Sequence, residues 1–182
     1  MDTSKAHLHG GESSYLKVSI VTVCFNSATT IADTLRSVAG QRGAEFEHII
    51  VDGASTDGTL DILAHHDNHI AKIVSEPDKG IYDAMNKGLA LVTGEIIGFL
   101  NADDVYVHES VLERVAGIMA RKDLDALFGD AEFVSPARLY QPVRRYRSEL
   151  FHPKRIAWGW MPAHPTLFLR RHVYERFGMF RT

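Results

Sequence analysis

A mostly parallel α/β sheet with helices on both faces is the fold this sequence predicts, and three observations carry the prediction. Short β-branched runs alternate with amphipathic helical patterns through the first two-thirds of the chain. The strand runs are nearly continuous in apolar residues, as in strands covered on both faces. Polar and acidic residues stand just after those runs, where an open α/β sheet binds its ligands.

The elements follow in order. Val18-Ser-Ile-Val-Thr-Val-Cys24 is the first strand, and a turn at Asn26-Ser27 follows it. Ile31, Leu35 and Val38 recur at helical spacing, with Gly40 as the stop. His48-Ile-Ile-Val51 is the second strand, Gly53 to Gly58 a loop, and Leu60, Leu63 and Ala64 open the next helix. Ile70 to Ser75 is a third strand. Asp78-Lys-Gly80 then caps a helix that carries Ile81, Ala84, Met85 and Leu89 and is expected to end at Gly94. Glu95 to Leu100 is a strand, Val111 to Met119 a helix, and Ala126-Leu-Phe128 a strand. After Gly129 the pattern breaks into short strand-like pieces around Phe133, Leu139-Tyr140 and Val143, with Arg138, Arg144, Arg145 and Arg147 interleaved. Thr166 to Leu169 reads as the last strand and Arg171 to Phe177 as the last helix.

Composition narrows the function. The chain has 182 residues, 45% hydrophobic and 24% charged, enough for one domain with a real core and too apolar for a disordered chain. Its net charge of −3 lacks the basic footprint of a general nucleic-acid binder. Cys24 is the only cysteine, so no intramolecular disulfide forms, which fits a reducing compartment. No apolar run approaches the roughly 18 residues of a membrane span. Residues 1–16 are polar and lack the apolar stretch of a signal peptide, so they read as a flexible leader; His7 and His9 on such a leader make a poor metal site.

The strand ends hold Asn26, Asp52, Glu76, Asp78, Asn101, Asp103 and Asp104. So many carboxylates at one sheet edge repel unless a cation or a hydrogen-bonding ligand sits among them. A dinucleotide site is disfavoured, because no G-x-G-x-x-G follows the first strand. Gly53 and Gly58 have P-loop spacing, but Thr59-Leu60 replaces the Lys-Ser/Thr pair. The adjacent carboxylates of Asn101-Ala-Asp103-Asp104 suit Mg²⁺ or Mn²⁺ beside phosphate oxygens; the plain alternative is an acidic turn that caps a helix. His65 and His69 are spaced as a metal pair but lack a third ligand, and read as a surface helix end. Trp158, Trp160 and Met161 either stack on an acceptor or pack the sheet. The Arg138 to Arg147 run is a solvated face or meets anionic groups, and the solvated face is favoured.

Together these stretches resemble the inverting family 2 glycosyltransferases of GT-A fold. The resemblance rests on Val18 to Asn26, Ile50-Val-Asp-Gly-Ala-Ser-Thr-Asp-Gly-Thr59, Glu76-Pro-Asp-Lys-Gly-Ile-Tyr-Asp-Ala-Met-Asn-Lys-Gly88, Phe99-Leu-Asn-Ala-Asp-Asp104 and Ala163-His-Pro-Thr-Leu-Phe-Leu-Arg-Arg171. The Gly80 to Gly88 stretch is most similar to bacterial enzymes of exopolysaccharide, O-antigen and glycolipid assembly. The resemblance implies a GT-A, Rossmann-like domain over 17–182, with the nucleotide-sugar-binding part at 17–130 and the start of the acceptor part at 131–182. It implies that Phe25 and Asn26 line the base and that Asp52 hydrogen-bonds it. Asp78 lies near ribose and phosphates, Asp103 faces the donor sugar or ribose, and Asp104, helped by Asp103, holds Mn²⁺ or Mg²⁺. His164 leads toward the donor phosphate and the acceptor.

The implied reaction moves a sugar from a UDP- or GDP-linked donor to a hydroxyl of a saccharide or lipid-linked acceptor, with inversion. The implied place is the cytoplasm, with peripheral contact at the cytoplasmic face of the inner membrane allowed for. The family's general base belongs to a segment after the last helix, so it is expected beyond Thr182. Within the chain the first substitute is Asp130, whose plain reading is a turn residue; Glu132 and Glu175 follow it. A chain without that segment is expected to bind donor but transfer sugar poorly. Two alternatives stand beside this reading: a donor-binding module without turnover, and a nucleotidyltransferase, which would need a glycine-rich basic loop that Ser19 to Asn26 does not offer.

Overall fold

The computed structural model describes residues 16–66, 69–135 and 141–182. The leader expected at 1–16 thus falls outside them except for Leu16, as do Arg138 and the strand-like piece at Leu139-Tyr140. The elements are β1 (Val18–Cys24), α1 (Ile31–Ala39), β2 (Phe46–Asp52), α2 (Thr59–His65), β3 (Lys72–Ser75), α3 (Ile81–Leu89) and β4 (Ile96–Phe99). Then come α4 (Val111–Lys122), β5 (Ala126–Leu127), β6 (Ala131–Phe133), β7 (Arg144–Tyr146), β8 (Phe168–Arg170) and α5 (Arg171–Phe177).

Six strands form one sheet in the order β3-β2-β1-β4-β8-β5, and β6 and β7 form a separate antiparallel ribbon. The first four are parallel, as helical crossovers require, and β8 runs antiparallel to both β4 and β5. The chain leaves β1 through α1 to β2 on one side, and reaches β4 on the other side through α3. The carboxyl end of β1 beside β4 is therefore the point where strand order reverses, the place where open α/β sheets bind ligands.

Alternation along β1 divides the core. Val18 and Ile20 face α4, meeting Leu112, Val115, Ala116 and Met119. Val21 and Val23 face α3, meeting Ala84, Met85 and Leu89. Cys24 and Ile50 meet Ile31, Leu35 and Leu63 of α1 and α2. Helices on both faces thus accompany a central strand, β1, that is buried at every position.

Some boundaries move for physical reasons. The third helix ends at Leu89, not Gly94. Gly94 serves a close approach instead: its amide donates to Ser19 Oγ at 2.9 Å, and a Cβ there would lie 2.6 Å from the Lys17 carbonyl oxygen. The fourth helix runs three residues past Met119 to Lys122 and is capped by Asp123 at φ +48°. The last strand starts at Phe168, because Thr166 lies in a helical turn whose hydroxyl donates to the Gly129 carbonyl at 3.0 Å.

α3 packs so closely on β1 that a Cβ at Gly88 would lie 2.3 Å from Val21 Cγ1. Gly88→Ala is therefore expected to destabilise the fold by about 1–3 kcal/mol, as overpacked core sites do. Denaturant titration checks it, and an unchanged midpoint would show that α3 yields freely.

Two neighbours on β2 link stability to acid. His48 is buried with Nε2 2.9 Å from Thr22 Oγ1, and burial lowers its pKa from 6.5 to about 3. Burial acts to raise the pKa of Glu47, but bonds from Ser19, Thr93 and Lys17 outweigh it and hold it at about 2. Both folded values lie below the unfolded ones of 6.5 and 4.5, so both contributions are present at neutral pH and fade as pH falls. Unfolding free energy should decline from about pH 6.5 downward. His48→Gln should flatten that decline between about pH 6.5 and 4.5, measured by urea titration across pH.

Candidate functional site

An open cleft of about 500 Å³ lies at the reversal point. Its walls come from the end of β1 and the following loop (Val23 to Ser27, Thr29, Thr30), from Ile81 at the start of α3, and from Asn101, Ala102 and Asp103 after β4.

The loop after β1 is fastened to the loop after β2 by side chains. The Asn26 amide donates to Ser55 Oγ at 2.7 Å, Ser27 to Thr59 Oγ1 at 2.8 Å, and Ala28 to Asp57 Oδ2 at 3.0 Å. In return the Thr56 amide donates to Asn26 Oδ1 at 2.9 Å. Asn26 (φ +49°) and Ala54 (φ +64°) occupy left-handed conformations, which the surrounding bonds maintain. Phe25 is thereby presented at the cleft, 62% exposed.

Asp52 anchors this arrangement and has no exposed surface. Its Oδ2 accepts from the Ser55 amide at 2.9 Å and from Ser75 Oγ at 2.7 Å, while Oδ1 accepts from Ser55 Oγ and from Cys24 Sγ at 3.5 Å. Burial acts to raise its pKa, but these bonds outweigh burial and hold the carboxyl below its ordinary value. Asp52 thus sits behind the cleft surface, with both oxygens hydrogen-bonded within the fold.

Gly53 brings the next wall in. A Cβ there would lie 2.6 Å from Asp78 Oδ2 and 3.3 Å from Phe25 Cδ2, so Asp78 and Phe25 flank the same bare stretch of backbone. Asp78 Oδ1 accepts from the Gly80 amide at 2.8 Å. Lys87 ties this loop to α3 through Glu76 at 2.8 Å and the Pro77 carbonyl at 2.8 Å, and its pKa is raised by Glu76.

The acidic pair behaves differently. Asp103 is exposed in the cleft, and Asp104 is half-buried beside it. Asp104 Oδ2 accepts from Asn101 Nδ2 at 3.1 Å, and burial, then the charge of Asp103, raise its pKa. Asn101 Oδ1 is buried without a donor. A carboxylate pair under mutual strain beside an unmatched acceptor is an oxygen-rich site deficient in positive charge, and so it fits a divalent cation. No cluster of three or more His, Cys, Asp or Glu is present among the described residues. The chain offers two carboxylates, and a bound diphosphate would have to supply further oxygens.

His164 is half-buried away from the cleft lining, its ring 5.7 Å from Phe99 and 5.8 Å from Phe180, and burial lowers its pKa. Phe180 is held by Asn86, whose Nδ2 donates to the Phe180 carbonyl at 2.9 Å and whose Oδ1 accepts from its amide at 3.0 Å. Asp130 is exposed, accepts from the Ser148 amide at 2.8 Å and Oγ at 2.6 Å, and has its pKa lowered by those bonds. These bonds make it an anchor of the turn at Ser148. Glu132 is paired with Arg145, and Glu175 with Arg171 at 3.5 Å. His65 and His66 bond the carbonyls of Asp61 and Ile62, in keeping with a helix end.

Residues that sequence reasoning passed over are Ser55, Asp57, Thr59, Ser75 and Ile81. The Ser-Thr-Asp-Gly-Thr run signals turns that cap their own backbone, but its bonds to Asn26, Ser27 and Ala28 join segments about thirty residues apart, beyond any local pattern.

The family model of Glycosyl transferase family 2 matches residues 19–177. A PGL/p-HBAD biosynthesis glycosyltransferase of Mycobacterium tuberculosis is 38% identical over 164 residues, covering 88% of this chain and 61% of that protein. The chain thus spans about three-fifths of the length of that relative. Staphylococcus aureus TarS 1–349 in complex with UDP superposes with a TM-score of 0.70 at 25% identity, over 88% of this chain and 48% of that one. The mannosyltransferase PcManGT from Pyrobaculum calidifontis, in complex with GDP-Man and Mn2+, gives 0.65 at 21% identity, over 93% and 48%, and shares the GT-A fold.

Ser55→Ala would remove a donor to buried Asp52 and the acceptor of the Asn26 amide at once. The expected loss is about 1–3 kcal/mol of stability, with looser presentation of Phe25. Thermal or denaturant unfolding checks the first, and hydrogen exchange at the amides of 26–28 checks the second. Unchanged protection there would refute the stitching.

Proposed function

The chain belongs to glycosyl transferase family 2, and on that premise we propose that it binds a UDP- or GDP-linked sugar and moves the sugar, with inversion, to a hydroxyl of a saccharide or lipid-linked acceptor. The observation that carries the proposal is the acidic pair Asp103–Asp104 at the rim of a cleft whose other lip is the exposed Phe25.

Each residue then has a task. Phe25 stacks on the base and Asn26 shapes the backbone beneath it. Asp52 holds that floor rigid through Ser55 and Ser75. Asp78, flanking Gly53 opposite Phe25, receives a ribose hydroxyl. Asp103 faces the ribose or the donor sugar, and Asp104, with Asp103, holds Mn²⁺ or Mg²⁺. Once bound, the ion would stabilise negative charge on the departing diphosphate. His164 stands where the acceptor side begins, its ring kept neutral by burial. The proton of the attacking hydroxyl goes to a carboxylate after α5, where the family resemblance puts the base.

A donor-binding module without turnover is the second reading. It is favoured by one observation: among the described residues Asp103 is the only carboxylate that lines the cleft. Work in cell-envelope polysaccharide or glycolipid assembly, on the cytoplasmic side, is part of the first reading. Among the described residues no helix is long and apolar enough to cross a membrane.

Calorimetric titration of UDP and GDP, with and without Mn²⁺, tests donor binding. The ion should tighten one nucleotide, and Asp104→Asn should cancel that gain, a loss of roughly tenfold or more. Equal affinity with and without the ion, or in the variant, would refute the assignment. Sugar transfer measured on the same protein separates enzyme from binding module.

A further inference from the structure

Charge is unevenly placed along the chain. Residues 130–163 hold six basic residues and three carboxylates, whereas the whole chain carries −3. All three carboxylates are engaged within that stretch: Asp130 with Ser148, Glu132 with Arg145 and Glu149 with Arg147. Arg144, Lys154 and Arg155 have no carboxylate partner among the described residues. Arg144 lies over the Phe133 ring, and Arg155 donates to the Leu150 carbonyl at 2.9 Å and covers the Trp160 ring.

The two tryptophans divide their work. Trp160 stacks on Tyr146 at 5.3 Å and Phe151 at 5.7 Å, and Phe151 meets Phe128 at 4.9 Å. That aromatic base supports an exposed short 3₁₀ helix, Pro153–Trp158. Trp158 at its end is 89% exposed, with Ile156 and Met161 also exposed. A tryptophan held in solvent beside unpaired lysine and arginine has the chemistry of a membrane interface, where an indole sits at headgroup level and cations meet phosphates. The same stretch runs directly into His164, which packs on Phe99, the strand end that leads to Asn101 and Asp103.

We propose that residues 150–161 dock the protein on an anionic lipid surface. Trp158 and Ile156 enter the headgroup layer, and Lys154 and Arg155, seconded by Arg144, bind its phosphates. An overall charge of −3 opposes approach to such a surface, so the local basic patch must do the attracting and binding must weaken with salt. The inference rests on the glycosyltransferase reading and deepens it by naming a lipid-borne acceptor, since the docking stretch leads through His164 to Phe99, at the end of the strand before Asn101 and Asp103.

Flotation of the purified chain with vesicles of phosphatidylcholine alone, or with one-third phosphatidylglycerol, tests it, alongside UDP and GDP titration of the same preparations. Binding is expected only to the anionic vesicles and should fall as salt rises. Lys154→Ala with Arg155→Ala should weaken it roughly tenfold or more. Trp158→Ser should weaken it several-fold, with nucleotide affinity unchanged in both variants. Absent binding, equal binding to both vesicles, or binding indifferent to these variants would overturn the proposal. So would sedimentation showing that Trp158→Ser dissolves a dimer, which would make the face a contact between copies. A chain that binds nucleotide but no vesicle refutes the docking alone. A chain that binds anionic vesicles but no nucleotide supports the docking and removes the glycosyltransferase reading.

Discussion

The buried carboxylate of Asp52 is the constraint on which the cleft depends. An ionised group with no exposed surface is tolerated only when hydrogen bonds replace its water. Its donors come from three places: Cys24 at the end of β1, Ser55 in the loop after β2 and Ser75 at the end of β3. One side chain thus fixes the relative height of three neighbouring strand ends. Cys24 takes part as a thiol, because burial and then the charge of Asp52 raise its pKa far above neutrality. Ser55 passes the constraint on by accepting from the Asn26 amide, so that the position of Phe25 follows from Asp52 without any direct contact.

A second constraint fixes the opposite wall. Almost every residue of Asp78-Lys-Gly-Ile-Tyr-Asp-Ala-Met-Asn-Lys-Gly88 has an architectural task. Asp83 accepts from the Lys79 amide at 3.1 Å, Lys87 holds Glu76 and Pro77, and Gly88 lets α3 settle on Val21. Tyr82 stacks on Phe180 at 5.6 Å, and Asn86 grips the Phe180 main chain. The helix whose start lines the cleft is therefore also the seat for the chain that follows α5. The cleft wall at Ile81 and the seat of Phe180 are thus two parts of one packed helix.

The sheet was legible because β-branched runs such as Val18 to Cys24 and the spacing of Ile31, Leu35 and Val38 report burial directly. Boundaries were legible less often. Gly94 resembles a helix stop in one dimension, yet it is dictated by the Lys17 carbonyl, a neighbour only after β1 and β4 pair. The strand-end rule drew attention to Asn26, Asp52, Asp78, Asp103 and Asp104, but it could not tell a surface carboxylate from a buried one. Periodicity has no term for whether Ser55 and Ser75 will close on Asp52. The partner of Asp130 was hidden for the same reason: Ser148 arrives from the helical turn just after β7. The run of arginines, in turn, divides into paired Arg145 and Arg147 and unpaired Arg144 only when the ribbon forms.

What does distinguish the carboxylates is how well each is satisfied. Asp52 has every oxygen matched by donors, and its pKa moves down; that is a group completed by the fold. Asp104 has one amide donor, a charged neighbour in Asp103 and an unmatched Asn101 oxygen nearby, and its pKa moves up. Two aspartates, one at the end of β2 and one beyond the end of β4, the strands on either side of β1, thus have pKa values shifted in opposite directions. The fold builds a complete hydrogen-bond cage around the first and leaves the second short of positive charge. The deficit is of the kind a divalent cation relieves, and relief grows when diphosphate oxygens complete its coordination. Metal and nucleotide should therefore bind as mutually dependent ligands, since neither the pair of carboxylates nor the diphosphate alone fills the shell.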